Sequence, residues 1–487
     1  MPSSLQVDLL VIGSGASGMT TAARAAQAGA RVLVVEKAPQ TGGSAAISGG
    51  FVWTAAEVDA LLAEDPGADP ALVRALVEGF PAGIDWLRWL GLTLSDEITG
   101  IYGFGRGFRI DPNLYLDRCR SLVASAGGEV VVGTQVEELQ RSGGSAAGAL
   151  LTAPDGRQLA VDADWTVLAT GGFQASSELR REHIHASADR MLVRANAHSS
   201  GGGLRLGLSV GAEATADMAG FYGHLVPSPL TAFPPESFIP FAQLHSAYCL
   251  LLDARGRRFT DESLGDHKNV QALVRHPSVT AILVADGEIH RTQVLSEYIP
   301  GLPSIDRLQV AVDAGARLAK EQSLAQLADS VAAWGADGAR FLRTLTEYNE
   351  AARRNPSLLD PPRRKHLQPL ETPPYFALEV QPAITFSYGG LRADAAGRVL
   401  GKDGPVGGLL AAGIDVGGVF HRGYAGGLAR ALVSGMRAAQ TATGDAASSR
   451  RLGCAPRRRR SAPARARGQG PVDQEQRARG APKEEDA

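Results

Sequence analysis

Three glycines and one glutamate near the start of the chain have the types and spacing needed to hold a dinucleotide. Gly13, Gly15 and Gly18 follow an apolar run, an alanine-rich stretch comes next, and a second apolar run, residues 32–35, ends at Glu36. In a strand–helix–strand unit such glycines allow a tight turn, close approach of backbone amides to a pyrophosphate, and contact between helix and strand. Glu36 would then bind the ribose hydroxyls. A glycine turn in an ordinary α/β fold is the competing interpretation.

The segments that follow favour FAD over NAD. Residues 37–50 (KAPQTGGSAAISGG) form a loop of small residues, whereas an NAD-binding domain would resume alternating strands and helices. Small side chains let the backbone approach a flat ring. Two further apolar runs, WTVLATGGF at 165–173 and GLLAAGIDVGGV at 408–419, end in Ala-Thr-Gly and Ala-Ala-Gly. We therefore expect a flavin dinucleotide.

These three segments, together with GRRFTDES at 256–263 and GGVFHRGYAGG at 417–427, resemble a known family. It is the fumarate reductase and 3-ketosteroid dehydrogenase flavoprotein family, and the chain is more similar to the ketosteroid- and tricarballylate-dehydrogenase-like members. The resemblance covers residues 5 to about 443. It implies an α/β fold: a Rossmann-like two-dinucleotide-binding-domain flavoprotein fold with an inserted α+β cap domain.

The resemblance and the composition together predict four segments. The first part of the FAD-binding domain would be 1–221, the inserted cap or substrate domain 222–374, and the second part of the FAD-binding domain 375–445. Residues 446–487 are rich in Arg, Ala, Pro and Gly, nearly lack large apolar residues, and are predicted to be a disordered Arg-rich tail. The arginine run 457–460 could attract RNA or anionic lipid, although a solvated tail is the simpler interpretation.

FAD is expected to be non-covalent, because the loop 37–50 lacks the histidine that carries the flavin in covalently flavinylated members. Ser44 and Ser48 could donate hydrogen bonds to the ring. The family usually has Ala-Gly-Glu in the third segment, where this chain has Ala412, Gly413 and Ile414 followed by Asp415. The chain therefore lacks the family glutamate at that place, and Asp415 either replaces it or is a flanking acid. The predicted cofactor-binding residues are Gly13, Gly15, Ala16, Ser17, Gly18, Glu36, Lys37, Gly43, Ser44, Ser48, Gly49, Gly50, Val136, Ala169, Thr170, Gly171, Gly413, Asp415, Gly427 and Leu428.

The predicted substrate side departs from the fumarate reductases. By motif alignment their proton-donating arginine is Asp266 here, followed by His267, and a second arginine becomes Tyr424. Their histidine pair becomes Thr385 and Phe386. Because a buried dicarboxylate needs cations, the resemblance implies a less charged, larger substrate. We assign Tyr424, Asp266 and His267 as catalytic.

Four other residues are candidates for substrate binding. Phe386 and Tyr388 are expected to face the flavin, while His421 and Arg422 could recognise a carboxylate or instead meet phosphate, carbonyl groups or solvent. Three loop residues are weaker candidates: Tyr102, Arg106 and Arg109. Two isolated histidines, His224 and His245, are interpreted as structural.

Bulk properties exclude several classes. The chain has 487 residues, a net charge of −2 and three scattered cysteines, so nothing indicates polyanion binding, an iron–sulfur cluster, a c-type haem or another metal site. The partners are then a small-molecule substrate and a separate electron acceptor or donor, with no nucleic acid and no membrane span. Because MPSSLQ leads directly into the first strand, without a signal peptide, a cytoplasmic location is expected.

The predicted activity is that of an FAD-dependent oxidoreductase acting on CH–CH groups. It would dehydrogenate, or in reverse reduce, a CH–CH bond next to a carbonyl in a small organic substrate, including cyclic or steroid-like ones. One alternative is an FAD oxidase of another substrate class. Another is a reductase acting on an unsaturated carboxylic acid, and a third is a flavin-holding adaptor protein whose basic tail binds RNA or a partner.

Overall fold

Two large sheets and one small sheet organise the chain. The structure, a computed structural model, describes residues 5–234, 237–297 and 304–451. The strands are β1 Leu5–Ile12, β2 Val32–Val35, β3 Phe51–Ala55, β4 Ile98–Ile101, β5 Gly105–Arg109, β6 Glu129–Val131, β7 Gln135–Ser142, β8 Ser145–Thr152, β9 Gln158–Leu168, β10 Leu192–Val193, β11 Phe221–Pro227, β12 Leu250–Leu252, β13 Ala281–Ala285, β14 Leu318–Glu321, β15 Tyr375–Ser387, β16 Arg398–Gly401 and β17 Gly404–Ala411. The helices are α1 Ala16–Gln27, α2 Val58–Glu64, α3 Pro70–Trp89, α4 Pro112–Ser125, α5 Ser177–His183, α6 Gly202–Ser209, α7 Asp266–Arg275, α8 Gly287–Ile289, α9 Arg307–Asp313, α10 Leu324–Ala332, α11 Gly338–Arg354 and α12 Gly427–Arg451.

The first sheet is the predicted dinucleotide-binding core. Its order is β16-β17-β9-β1-β2-β6, and the strands from β17 to β6 are parallel. Parallel strands covered on both faces consist mainly of apolar residues, and β2 (Val32–Val35) is buried at every position. A side ribbon, β7 with β8, pairs antiparallel with β9.

Helix α1 can lie close to this sheet because its inner face carries small residues. Alanine, glycine, serine and threonine make up most of its buried positions. A Cβ at Gly18 would overlap the backbone carbonyl of Gly13, so glycine is required there for the helix to begin where it does. The observed β1–α1–β2 unit therefore matches the predicted one.

The second sheet has six strands arranged around β15. Strand β15 pairs with β10 in parallel and with β11, β13 and β14 antiparallel, and β12 pairs with β13. The small third sheet has the order β3-β5-β4. The predicted cap boundaries, 222 and 374, do not coincide with the edges of the second sheet, since its central strand starts at Tyr375 and β10 precedes residue 222. The division into segments stays a prediction.

The chain divides into two compact units by its internal contacts, the first being Met1–Gly444 and the second beginning at Asp445. Helix α12 continues to Arg451, which is past the predicted start of the disordered tail at 446. The rest of that tail, from residue 452, lies outside the described residues. Within the described ranges, no helix is both long and apolar enough to cross a membrane, and the cytoplasmic location stays a prediction.

Candidate active site

A cavity of about 1450 Å³ runs from the strand–helix turn of the first sheet to the second sheet. Its wall includes Gly15 and Glu36 at one end, and Tyr222, His224 and Phe386 at the other. Pockets for small ligands usually measure about 300–1,000 Å³. The volume is therefore sufficient for a dinucleotide with room for a second molecule.

The glycine-rich end of the cavity fits a pyrophosphate. A Cβ at Gly15 would meet no atom within 4 Å, so the space beside this backbone is open toward the cavity. Gly13, by contrast, has φ +107°, and a Cβ there would lie 2.3 Å from the carbonyl oxygen of Ala169. Both the backbone conformation and the close contact therefore require glycine at position 13. The N-terminus of α1 follows directly, and its free N–H groups and dipole favour a phosphate.

Glu36 lies at the predicted ribose position, at the end of β2. Its carboxylate accepts hydrogen bonds from the Ser14 amide at 2.9 Å, the Ser14 hydroxyl at 2.8 Å and the Ala38 amide at 2.8 Å. These bonds fix the carboxylate at the cavity wall. Lys37 also lines the cavity, and its ammonium group donates to the Ser200 hydroxyl at 2.9 Å.

The structure brings most of the predicted cofactor residues to one surface. Those that line the cavity are Gly13, Gly15, Ala16, Ser17, Glu36, Lys37, Gly43, Ser44, Ser48, Gly49, Val136, Ala169, Thr170, Gly171, Gly413, Gly427 and Leu428. Gly18, Gly50 and Asp415 are not part of this wall. Gly18 instead packs against the backbone of Gly13, and Gly50 against the backbone of Ile110. In both places a Cβ would overlap a carbonyl oxygen.

Asp415 joins two of the segments predicted to bind the flavin, instead of facing the cavity. Its carboxylate accepts hydrogen bonds from the Thr170 amide, the Thr170 hydroxyl at 3.0 Å and the Gly171 amide at 3.3 Å. Burial raises the pKa of Asp415. Asp415 therefore lies behind the cavity wall, where its hydrogen bonds connect two segments of the chain. This position does not support the suggestion that Asp415 replaces the family glutamate.

The loop that follows Lys37 uses its hydroxyl groups differently from the prediction. Ser48 donates to the carbonyl of Ala45 at 2.8 Å, so its hydrogen is engaged within the loop. Ser44 accepts from the Asn196 amide at 3.0 Å, which leaves its own hydrogen available to the cavity. Of the two serines, Ser44 has the better geometry for donation to a flavin.

Two tyrosines from distant parts of the chain stack in the cavity. The rings of Tyr222, on β11, and Tyr424, in the loop before α12, lie 3.7 Å apart at 16°. The Gly427 amide donates to the Tyr424 hydroxyl at 3.2 Å, and Trp53 packs edge-on to the Tyr424 ring at 5.3 Å. Burial raises the pKa of both phenols, so both remain protonated at neutral pH. The pair offers two hydroxyl groups beside the N-terminus of α12.

Asp266 reaches this pair through His224, whose isolated position in the sequence had suggested a structural role. The Asp266 carboxyl group bonds His224 Nδ1 and accepts from the Leu225 amide at 3.0 Å, and His224 Nε2 bonds the Tyr222 hydroxyl at 2.9 Å. Residues i and i+2 share a face of a strand, which places Tyr222 and His224 together on β11. Asp266 itself does not line the cavity. Its side chain lies behind His224.

Burial sets the protonation of this chain of groups. It raises the pKa of Asp266 and lowers the pKa of His224, so the pair favours a protonated carboxyl and a neutral imidazole. In that state Asp266 donates to Nδ1, Nε2–H donates to Tyr222, and the Tyr222 hydrogen can be donated to the Tyr424 hydroxyl, which also lines the cavity. The triad Tyr222–His224–Asp266 can thus deliver a proton to the cavity and recover it.

His267 lines the cavity, but apart from Asp266. Its ring packs edge-on to Tyr102 at 5.6 Å, and both ring nitrogens are buried without a hydrogen-bond partner among the described residues. Burial lowers the pKa of His267 to about 3. It is therefore neutral at physiological pH and could accept or donate one hydrogen bond to a ligand.

The four predicted substrate-binding residues separate into two groups. Phe386 lines the cavity and lies opposite Tyr222 in the β11–β15 register. Tyr388 is buried behind it against Phe420 and does not reach the wall. His421 and Arg422 are also outside the wall, because both side chains pair with Asp217 at 2.7 and 3.2 Å.

A buried arginine at the cavity was not found from the sequence. Arg194 follows β10, its amide donates to the carbonyl of Ile384 at 2.8 Å, and its guanidinium donates to the Thr385 hydroxyl at 2.8 Å. Parallel pairing of β10 with β15 places these two residues side by side. No local sequence pattern marks Arg194, because it reaches the cavity only through the pairing of β10 with β15, about 190 residues later in the chain.

The sequence matches the family model for the FAD binding domain from residue 8 to residue 428. The chain belongs to this family. One protein that it resembles is the NADH:fumarate oxidoreductase of Klebsiella pneumoniae, which is 27% identical over 90% of this chain and 48% of that protein. Another is the 4-oxocyclohexanecarboxylate 2-dehydrogenase of Sinomonas cyclohexanicum, which is 28% identical over 90% of this chain and 93% of that protein. The chain thus spans about half the length of the Klebsiella relative.

Solved structures show the same fold. A 3-ketosteroid Δ1-dehydrogenase from Sterolibacterium denitrificans superposes with a TM-score of 0.70 at 20% identity, covering 91% of this chain and all of that chain (100%). A flavocytochrome c3 fumarate reductase superposes with a TM-score of 0.69 at 24% identity, covering 91% and 79%. The predicted family, the Rossmann-like fold and the FAD cofactor are confirmed.

Proposed function

We propose that this chain is an FAD-dependent oxidoreductase that dehydrogenates, or in reverse reduces, a CH–CH bond next to a carbonyl in a small organic substrate. The observation that carries the proposal is the stacked pair Tyr222 and Tyr424 in a cavity that also holds the dinucleotide-binding turn. The names of its relatives, which include a fumarate reductase and a 2-dehydrogenase of a cyclic ketone, support the same class of reaction.

Bound FAD would supply the hydride acceptor or donor for this chemistry. The residues Gly13, Gly15, Glu36 and Lys37 would hold its dinucleotide part, and the loop with Ser44 would lie near its ring. Tyr424, with the Gly427 amide beside it, would polarise the substrate carbonyl. Tyr222 would move the proton at the neighbouring carbon and exchange it with His224 and Asp266.

This assignment revises one role that the sequence had suggested. Asp266 was predicted to act directly with His267, but its side chain lies behind His224, so its effect on a substrate would pass through Tyr222. His267 would instead offer a neutral ring nitrogen to the substrate. We further propose that the electron donor or acceptor is a separate molecule.

Anaerobic mixing of the holoenzyme with candidate substrates tests the function. A panel of cyclohexanone, 4-oxocyclohexanecarboxylate, a saturated 3-ketosteroid and succinate should bleach the flavin with at least one of the ketones and negligibly with succinate. Fumarate should likewise fail to reoxidise the reduced flavin, because three cation positions of fumarate reductases are Asp266, Phe386 and Tyr424 here. Efficient turnover of fumarate, or bleaching by none of the ketones, would contradict the proposal.

A further inference from the structure

Arg194 is an unusual cation for a cavity wall. Among the cavity-lining residues that the structure describes, it is the one lysine or arginine whose side chain is buried, with 3% of its surface exposed. Burial of a charge is costly unless an opposite charge or several hydrogen bonds compensate it. The partners of this guanidinium therefore indicate what the site is built to bind.

The protein supplies polar partners for only part of the guanidinium. Nε and Nη2 donate to the carbonyl of Phe238, the first at 3.0 Å, and Nη1 donates to the Thr385 hydroxyl at 2.8 Å. Arginine has five N–H groups, so one hydrogen on each terminal nitrogen is left over. In the described part of the chain, no carboxylate lies within ion-pair distance of Arg194.

Aromatic rings fix the orientation of the guanidinium. It stacks on Phe238 with its carbon 3.4 Å from the ring centroid, and Phe233 lies 5.9 Å away. Stacking covers one face and directs the N–H edge along the plane, which is the edge that a carboxylate can contact through two oxygens. Phenyl rings do not neutralise the charge.

The group remains charged at neutral pH. Burial lowers the pKa of Arg194 to about 10, which is still well above neutral pH. Asp266 is bonded to His224 and to the Leu225 amide instead of to Arg194. A positive charge thus faces the cavity near the tyrosine pair.

We infer that Arg194 and Thr385 form a recognition site for a single carboxylate, so that the substrate is a monocarboxylic acid with an apolar or cyclic body. The carboxylate would meet the free N–H edge of Arg194, and the body would lie against Phe386 and the stacked tyrosines. The inference rests on the proposed function and narrows its substrate class. It also explains how the cavity can accept an acid although the three family cations are absent.

Binding of matched acids and amides to the oxidised holoenzyme tests the inference separately from turnover. The probes are cyclohexanecarboxylate with cyclohexanecarboxamide, and 3-phenylpropionate with 3-phenylpropionamide, followed by perturbation of the flavin absorbance under anaerobic conditions. Each acid should bind at least about tenfold more tightly than its amide, because a charge-assisted pair is replaced by a neutral hydrogen bond. Arg194→Met should remove this preference, and Arg194→Lys should keep part of it.

A matched control removes a cation from the exposed rim of the same cavity. The Arg364 side chain is 76% exposed, so Arg364→Met should change the acid-to-amide ratio less than about threefold. If Arg194→Met weakens acid and amide equally, or if the wild type binds neither acid more tightly than its amide, the carboxylate site is disproved. The proposed function would survive that result if neutral ketones still bleach the flavin. If instead the protein prefers acids to amides but no ketone bleaches the flavin, only the proposed function is disproved.

Discussion

At the scale of single residues, the sequence predicted the residues that line the glycine-rich end of the cavity more completely than those around Tyr222 and His224. Glycine spacing and a terminal glutamate are local signals, and Gly15 and Glu36 lie where the motif places them. His224 was interpreted as structural because its contacts with Asp266, 42 residues away, and with the Tyr222 hydroxyl are not apparent from the sequence. Of the two interpretations given for His421 and Arg422, the structure favours the one without a substrate contact, since both side chains pair with Asp217 outside the cavity wall.

Replacement of either stacked tyrosine tests its part in the chemistry. Tyr424→Phe and Tyr222→Phe should each retain FAD and slow flavin reduction by a true substrate by roughly 10², the usual scale for loss of a positioned proton donor or oxyanion partner. Stopped-flow reduction under anaerobic conditions measures the rate. Tyr388→Phe serves as the matched control, because Tyr388 is buried behind the wall and its loss should change the rate little. Wild-type rates in the Tyr424 variant would show that the pocket has been assigned wrongly.

Asp266→Asn separates proton transfer from positioning. Asparagine can still accept from the Leu225 amide and donate to His224 Nδ1, so the fold and the flavin content should be kept. It cannot exchange a proton, so the rate should fall by about 10-fold to 10² and the limb of the pH–rate profile that reports this group should disappear. An unchanged pH profile together with a reduced rate would assign Asp266 a structural role only.

At the scale of elements, two glycines of the same turn have different tasks, and this difference can be measured. At Gly15 a Cβ meets no protein atom, so Gly15→Ala should leave the apoprotein as stable as the wild type while FAD affinity falls by at least about tenfold. At Gly18 a Cβ overlaps the Gly13 carbonyl, so Gly18→Ala should lower both the stability and the FAD affinity. Urea unfolding of the apoprotein and fluorescence titration with FAD give the two quantities. Equal FAD affinity in Gly15→Ala and the wild type would contradict the location of the pyrophosphate.

Periodicity and motifs were sufficient to predict the first sheet, but not the second. Strands β1, β9 and β17 finish in apolar residues that lead into recognisable glycines, and β2 is an apolar run that ends at Glu36. The second sheet is assembled around β15 from strands that start as early as Leu192, and no local pattern specifies which of them pair. Arg194 and Thr385 become neighbours only through this pairing, which explains why the buried cation was missed.

At the scale of the whole molecule, a buried histidine away from the site should weaken the fold in acid. Burial lowers the pKa of His245 to about 3, whereas its unfolded value is about 6.5. Between these values the unfolded chain binds the proton and the native protein does not, so stability falls as the pH falls below about 6.5, by about 1.4 kcal/mol per pH unit.

His245→Asn measures this contribution. At pH 5, unfolding of the wild type in weakly buffered urea should take up about one proton more than unfolding of the variant, because asparagine does not titrate. A pH electrode or an indicator dye records the uptake. Raised pKa values at Asp266 and Asp415 act with the opposite sign, but they are common to both proteins and cancel in the difference. Equal uptake would show that His245 is already protonated in the native state.

The central place of β15 in the second sheet also determines the order of events during synthesis of the chain. Residues 375–387 form the strand with which β10, β11, β13 and β14 all pair. Until that segment has left the ribosome, the edge of each of these strands that later bonds to β15 has no partner. Unpaired apolar strand edges are prone to associate with other chains. Nascent chains that stall before residue 387 are therefore expected to depend on chaperones, and fragments that end there should be recovered as aggregates.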